Sequence, residues 1–379
     1  MTIFKPLAAD DRVSTKTLLH EAIPITGTIV SGTYGTTTTA FQERNIQDFT
    51  HGMFQSVYDY PYLSSSANHI FDISIGTATT GLATTVQTAK KDNIYNQMAQ
   101  VLSGYDQDGN IQKFDDDGNI TAGGTTIDNA IFLSFSRLLA KDEIKKGSFE
   151  LTLGVHHAYA DPTNTERILK ILDKGAATSY KVNSPAGEYG ILYATSSNNS
   201  VPVLDTASTQ TASIDGDKYW KAGLIYYQAG VVVLSSSVLC AKNQVGGNGI
   251  LDNIGSTTLK FTDNNLTLTS SIADNEISAS ANFFRNRIHN LQFNNTIELN
   301  STVYFCRAKH NEFNYSSNPT YLSGSQIRVK NETTDVPIAY ITSIGLYSAD
   351  NQLLAVGKFS EPIRKDSSIE LTFRSRLDY

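Results

Sequence analysis

Between Asn300 and Tyr379 strand-forming segments follow one another almost without a break, and no other feature limits what this chain can become as strongly. A first strand is followed by the polar, uncharged aromatic loop Phe313 to Tyr321. Next comes Tyr340 to Phe359, two strands about a tight turn, and then a final strand that ends on Tyr379. Strand side chains alternate between faces, so segments of this kind specify sheet. These eighty residues are also poor in the residue types that carry catalysis. The expectation is a docking domain and not an active site.

At 379 residues the chain is too long for one core, and two or three domains are expected. Charged residues make up 18%, below the usual quarter or so; Ser, Thr, Asn and Gly take their place beside 19 Tyr and 17 Phe. Tyr, Phe, Thr and Val suit pleated surfaces. The expected class is therefore mainly β with minor helices: β-sandwich-like domains behind an extended N-terminal arm. A net charge of -7 without any clustered Lys and Arg argues against nucleic acid. Two cysteines, Cys240 and Cys306, imply no disulfide framework and read as buried free thiols. No apolar leader core follows Met1, and no run of 18 apolar residues occurs, so a soluble chain made in a cytoplasm is expected.

The organisation expected along the chain is an arm over residues 1–45, an α+β or β domain over 46–160, a β-rich middle over 161–275 and a C-terminal docking domain over 276–379. In the arm, Pro6 and Pro24 interrupt any helix, while Ile23, Ile25, Ile29 and Val30 suit a strand that clasps a neighbouring subunit. Ala67 to Gly76 alternates as a strand. Ile94, Met98, Val101 and Leu102 share one face of a helix ending at Gly104. Strands are expected around Ile131–Leu139, Phe149–Leu153 and Tyr189–Tyr193, with a short helix at Asn164–Lys174. Gly223 to Leu234 reads as a hairpin turning through Gln228–Gly230, and Ile277 to Phe293 has near-helical spacing.

Few motifs carry chemistry. Asp106, Asp108 and Asn110 mimic the first ligands of a calcium loop, but Gly109 stands fourth instead of sixth and no Glu occupies the twelfth position. Asp-Gly turns explain this segment and its twin at Asp115 to Gly118 without a metal. His156 and His157 are adjacent and would point to opposite faces of a strand, a poor metal pair. Gly246 to Gly249 lacks the Lys and Ser/Thr of a phosphate cradle. Neither catalytic residues nor a cofactor or metal site is expected. The aromatic groups Tyr58, Tyr60 and Tyr62, and Phe313, Tyr315 and Tyr321, sit among Ser, Asn and Pro and are the candidate interface residues, because tyrosine combines large contact area with a polar hydroxyl. Local core closure explains the same rings, and sugar stacking is a third reading.

Several of these segments resemble a known family. Asn290 to Arg307 (NLQFNNTIELNSTVYFCR), His310 to Tyr321 (HNEFNYSSNPTY) and the close at Leu371 to Tyr379 resemble virion structural proteins of contractile-tailed phages, especially marine T4-like phages of cyanobacteria and other aquatic bacteria. Gln55 to His69 (QSVYDYPYLSSSANH) is similar to the same group. Ile341 to Tyr347 with Leu353 to Val356 is similar to strand pairs in tail-fibre attachment domains. The resemblance implies a structural tail or baseplate subunit, located in the virion and assembled in the host cytoplasm, with no catalytic residues to carry over. Its implied partners are neighbouring virion proteins and copies of itself, near the host surface, without membrane insertion. A neck, collar or head-decoration protein is one alternative. A receptor- or carbohydrate-binding fibre protein is another, and a glycan-cleaving enzyme with paired carboxylates is a third.

Overall fold

The computed structural model describes residues 4–24, 45–78, 85–118, 126–154, 168–196, 211–214, 217–235, 276–285, 288–316, 322–323, 326–327, 334 and 336–379. The fold is mainly β, and its principal ladders are antiparallel. In chain order the strands are β1 (Arg12–Pro24), β2 (Ile46–Asp48), β3 (Phe54–Tyr58), β4 (His69–Thr77), β5 (Asn129–Phe135), β6 (Glu143–Ile144), β7 (Glu150–Gly154), β8 (Ile168–Leu172), β9 (Lys181–Ser184) and β10 (Gly187–Ser196). They continue with β11 (Thr211–Ile214), β12 (Asp217–Tyr226), β13 (Val231–Ser235), β14 (Ile288–Ala308), β15 (Leu322–Ser323), β16 (Gln326–Ile327), β17 (Ile338–Tyr347), β18 (Leu353–Asp366) and β19 (Leu371–Asp378). The helices are α1 (Val86–Leu102), α2 (Arg137–Ala140), α3 (Ala176–Ser179) and α4 (Ile277–Arg285). The chain divides into two compact units, His20–Ile297 and a smaller one made from Met1–Leu19 with Glu298–Tyr379. The sequence had suggested an arm and three domains.

In the larger unit the strands run in the order β7-β8-β10-β12-β13-β5-β4-β3-β2, with the first part of β14 beside β7. Ile131, Phe132 and Leu133 of β5 are consecutive and fully buried, as are Val232, Val233 and Leu234 of β13. Successive residues face opposite ways, so these central strands are covered on both sides. Helix α1 provides part of that cover over β4. Thr85 caps it by accepting the Thr88 N–H at 3.1 Å, and the chain leaves it at Gly104 with φ +84°. Ile94, Tyr95, Ala99 and Leu102 form its buried stripe. Gly76 lets the helix approach: a Cβ there would lie 2.9 Å from Tyr95 Cα and 2.8 Å from the Phe132 ring. The Tyr95 hydroxyl donates to Ile127 O at 2.7 Å and accepts the Phe114 N–H at 3.2 Å, so its burial costs no unpaired group.

The helix expected at Asn164–Lys174 is not found over Ile168–Leu172, which is strand β8, paired with β7 and β10. Leu169 and Ile171 alternate into the core, and partners on both edges decide a segment whose apolar spacing suits either period. The strand expected over Ile131–Leu139 stops at Phe135, and Arg137–Ala140 turns as α2. Ile277–Phe293 is helical only to Arg285, and Ile288 opens β14.

In the smaller unit β14 is flanked by β1 and by β19, and Ser301–Ala308 pair in register with Asp378–Leu371. Within the stretch expected as an extended arm, residues 12–24 form strand β1, laid on β14 of the same chain. Ser14 and Thr302 share a hydroxyl bond of 3.0 Å, Thr15 donates to Ser301 O, and Lys16 pairs with Glu298. Ile25, Ile29 and Val30 lie outside the described residues. Strands β17 and β18 form a separate hairpin. The Phe359 ring lies 4.8 Å from the Phe373 ring of β19. Among the described residues of this unit the buried apolar side chains are only Val303, Ala308 and Ala339.

Candidate interaction surfaces

Residues 309–316 form a loop held on every side by hydrogen bonds. The buried Lys365 ammonium donates to Asn314 Oδ1 at 2.6 Å, Asp366 O at 2.8 Å and His310 O at 3.3 Å. An ammonium has three donors, so these three oxygens complete its shell. Asn314 Nδ2 donates to His310 O at 2.7 Å, and Lys309 and Glu312 exchange two further bonds. Lys5 bonds to the Glu312 carboxylate, which it holds below the ordinary glutamate range, and to Arg307 O at 2.9 Å. His310 pairs with Glu370 at 3.2 Å and lowers that carboxyl in the same way. Phe313 takes φ +55°, a conformation a bulky residue adopts only under constraint. At the end of this braced loop the Tyr315 side chain stands 47% exposed.

The loop after β3 is built on the same plan. Asp59 accepts the Asn68 N–H at 2.6 Å and the Asn68 Nδ2 at 2.8 Å, closing the segment between them. Turns at Pro61–Ser64 and Ser64–Ala67 fold its interior. Tyr58 is half-buried; its hydroxyl donates to Gln47 Oε1 at 3.0 Å, and its ring lies 5.5 Å from His69 and 6.3 Å from Tyr62. Tyr60 is 53% exposed, and Leu63 beside it is 86% exposed. A leucine this open on a hydrogen-bonded loop has lost conformational freedom without gaining burial. Such a loop is preorganised for contact.

Among the described residues, the other notable polar groups are two acidic turns and one buried carboxylate. Asp106 Oδ1 accepts the N–H groups of Asp108 and Asn110, and Gly109 has φ +83°, a closed turn bridged by Tyr105 and Ile111. The Asp115, Asp116 and Asp117 carboxylates come within 4.8 Å of one another. Burial raises the Asp116 carboxyl, and the Lys221 ammonium at 3.5 Å opposes that rise. A cavity of about 10 Å³ beside them is lined by Ser103, Lys113, Asp115, Tyr189 and neighbours. That is room for about one water molecule, far below the ~300–1,000 Å³ of small-molecule sites. Asp173 is buried and accepts the Gly147 and Phe149 N–H groups at 2.7 and 3.1 Å. Burial pushes its carboxyl up to about 7, but it sits in packed core with the Tyr227 hydroxyl at 3.4 Å.

The aromatic residues singled out in the sequence thus fall into separate groups. Tyr58, Tyr60 and Tyr62 cluster in the larger unit, while Phe313 and Tyr315 share one loop of the smaller unit. Tyr321, His156, His157, Gly246 to Gly249 and Cys240 lie outside the described residues. Cys306 is a half-buried free thiol. Sequence reasoning missed Lys365, which reads as one more charge in Arg364-Lys365-Asp366; only the loop packed over it shows its role. Leu63 was visible as an apolar residue among serines, and that was its signal. Compared with protein-family models, curated proteins and solved structures, the chain gives no match.

Proposed function

We propose that this chain is a structural subunit of a tailed-phage particle, a tail or baseplate component that works by adhesion to its neighbours. The phage assignment rests on the resemblance carried by Gln55–His69, Asn290–Arg307, His310–Tyr321 and Leu371–Tyr379. The observation that carries the adhesive role is the braced loop 309–316, which presents Tyr315 from a unit with almost no apolar core. Preorganised aromatic side chains gain contact area at low entropic cost, which is the requirement of a subunit interface. Obligate interfaces complete cores that the free subunits leave open. No catalytic role is proposed.

The test is to raise antibody against the chain and probe purified particles, with peptide mass spectrometry on the same preparation. The expected result is stoichiometric presence in the particle and density for the chain in the tail or baseplate. A chain recovered only from infected-cell lysate, and never from washed particles, would overturn this reading. Density at the neck or on the head would move it to the alternative placements.

A further inference from the structure

Strand β1 pairs with β14 and, among the described residues, with no other strand, so its second edge is bare. Every second residue of such a strand turns its N–H and C=O away from the neighbour it already has. All eight side chains from Arg12 to Leu19 are exposed, on both faces. An edge of this length is ordinarily blunted by Pro, by a bulge, by a free Lys or by a covering segment. Arg12–Leu19 contains neither Pro nor Gly, and its one lysine, Lys16, is drawn aside to Glu298 on β14. Val13, Thr15 and Thr17 are strand formers. The segment is therefore a straight row of unpaired ladder groups, and an extended chain is what meets such groups at their own spacing.

The two faces show which extended chain fits. Ser14 bonds to Thr302 at 3.0 Å and His20 to Thr296 at 3.1 Å, so even-numbered residues of β1 and β14 share one face and odd-numbered residues the other. The odd face carries Val13, Thr15, Thr17 and Leu19 beside Leu299, without a charge. Val13, Leu19 and Leu299 there are 48%, 48% and 41% exposed. The even face carries Arg12, Ser14, Lys16 and Leu18. Glu298 neutralises Lys16, while Arg12 has no ion pair among the described residues, and the face is left positive. The acidic residue of β1, Glu21, lies beyond Leu19 and on the odd face. Two copies of β1 paired about a two-fold axis would set even-numbered residues opposite even-numbered ones, so their positive faces would coincide. That disfavours a second β1 and favours an acidic partner.

We propose that the free edge of β1 accepts an extended strand of a neighbouring protein, apolar on the face shared with Val13 and Leu19 and acidic on the face shared with Arg12. The inference rests on the reading of the chain as an assembly subunit and deepens it by giving the chemistry of one partner. Backbone hydrogen bonds hold the incoming strand, and its alternate side chains decide which strand is held.

The test uses a fluorescent, end-blocked peptide of alternating Val and Glu, about ten residues long so that it spans the edge. Binding to the full chain is read by fluorescence anisotropy at low salt. A Val–Lys peptide of the same length is expected to bind at least about tenfold more weakly. A Val–Glu peptide methylated on its backbone nitrogens should not bind, because it cannot complete the ladder. Arg12→Glu should reverse the order of the Val–Glu and Val–Lys peptides; Arg12 is exposed, and circular dichroism confirms that the variant folds. No binding of the Val–Glu peptide, or equal binding of its methylated form, overturns the proposal. Equal binding of the Val–Lys peptide overturns the acidic partner. Self-association in sedimentation velocity that the Val–Glu peptide abolishes would give the edge to a second copy instead. A chain that binds no peptide yet is found in washed particles would sink this edge and leave the assembly reading standing. Peptide binding by a chain absent from particles would do the reverse.

Discussion

Asp173 closes the turn between β6 and β7 by accepting two backbone N–H groups, yet burial holds its carboxyl up at about 7. The folded chain therefore keeps a proton that the unfolded chain, with an aspartate near 3.9, releases early. Between those values the folded state binds more protons, and stability falls as pH rises. The contribution is fully present below about pH 4 and gone above about pH 7, and its size is up to roughly 4 kcal/mol. Asp173→Asn should flatten the dependence of unfolding free energy on pH across that window, while costing about 1–3 kcal/mol through an imperfectly paired N–H. Urea unfolding at several pH values reads both effects; an unchanged slope would contradict the assignment. Lys365 invites a complementary experiment. Lys365→Met leaves Asn314 Oδ1 and Asp366 O short of a donor. It should cost about 2–3 kcal/mol and raise amide exchange through residues 309–316, with little change in the larger unit.

At the level of elements, close approach at Gly76 makes α1 a sensitive reporter of sheet packing. Gly76→Ala places a methyl 2.9 Å from the helix backbone and should cost about 1–3 kcal/mol, read as a lowered midpoint of thermal unfolding. Retention of the wild-type midpoint would show that helix and sheet slide freely. The existence of α1, β4, β7, β10, the β12–β13 hairpin and the C-terminal strands was legible because each carries its own period and its own breakers. β8 was not. Its Ile-Leu-Lys-Ile-Leu run fits two periods, and the partners that decide lie 14 and more residues away in the chain. The aromatic loops were legible as rings among small polar residues. Their bracing was not, because Lys365, Asp59 and Asn68 look like ordinary surface residues until the chain folds around them.

On the scale of the whole molecule the two units differ in what stabilises them. The larger unit buries long runs of Ile, Leu, Phe and Val, while the smaller relies on ladders, ion pairs and a thin seam around Phe359 and Phe373. A two-stranded hairpin with one face exposed is marginal in water. Amides of β17 and β18 should therefore exchange well before those of β5 and β13. Equal protection in all four strands would contradict that expectation. The smaller unit is also assembled from the two most distant parts of the sequence, with Ser14 bonded to Thr302 across 288 positions. At about 5–20 residues per second, β1 leaves the ribosome roughly 15–60 seconds before its β14 partner exists. During that interval an open strand edge bearing Val13, Leu18 and Leu19 must be shielded, or it will pair with whatever strand arrives first. Crowding of nascent chains on one message is thus the condition under which this protein is most exposed to misassembly, and slower initiation should raise its soluble yield.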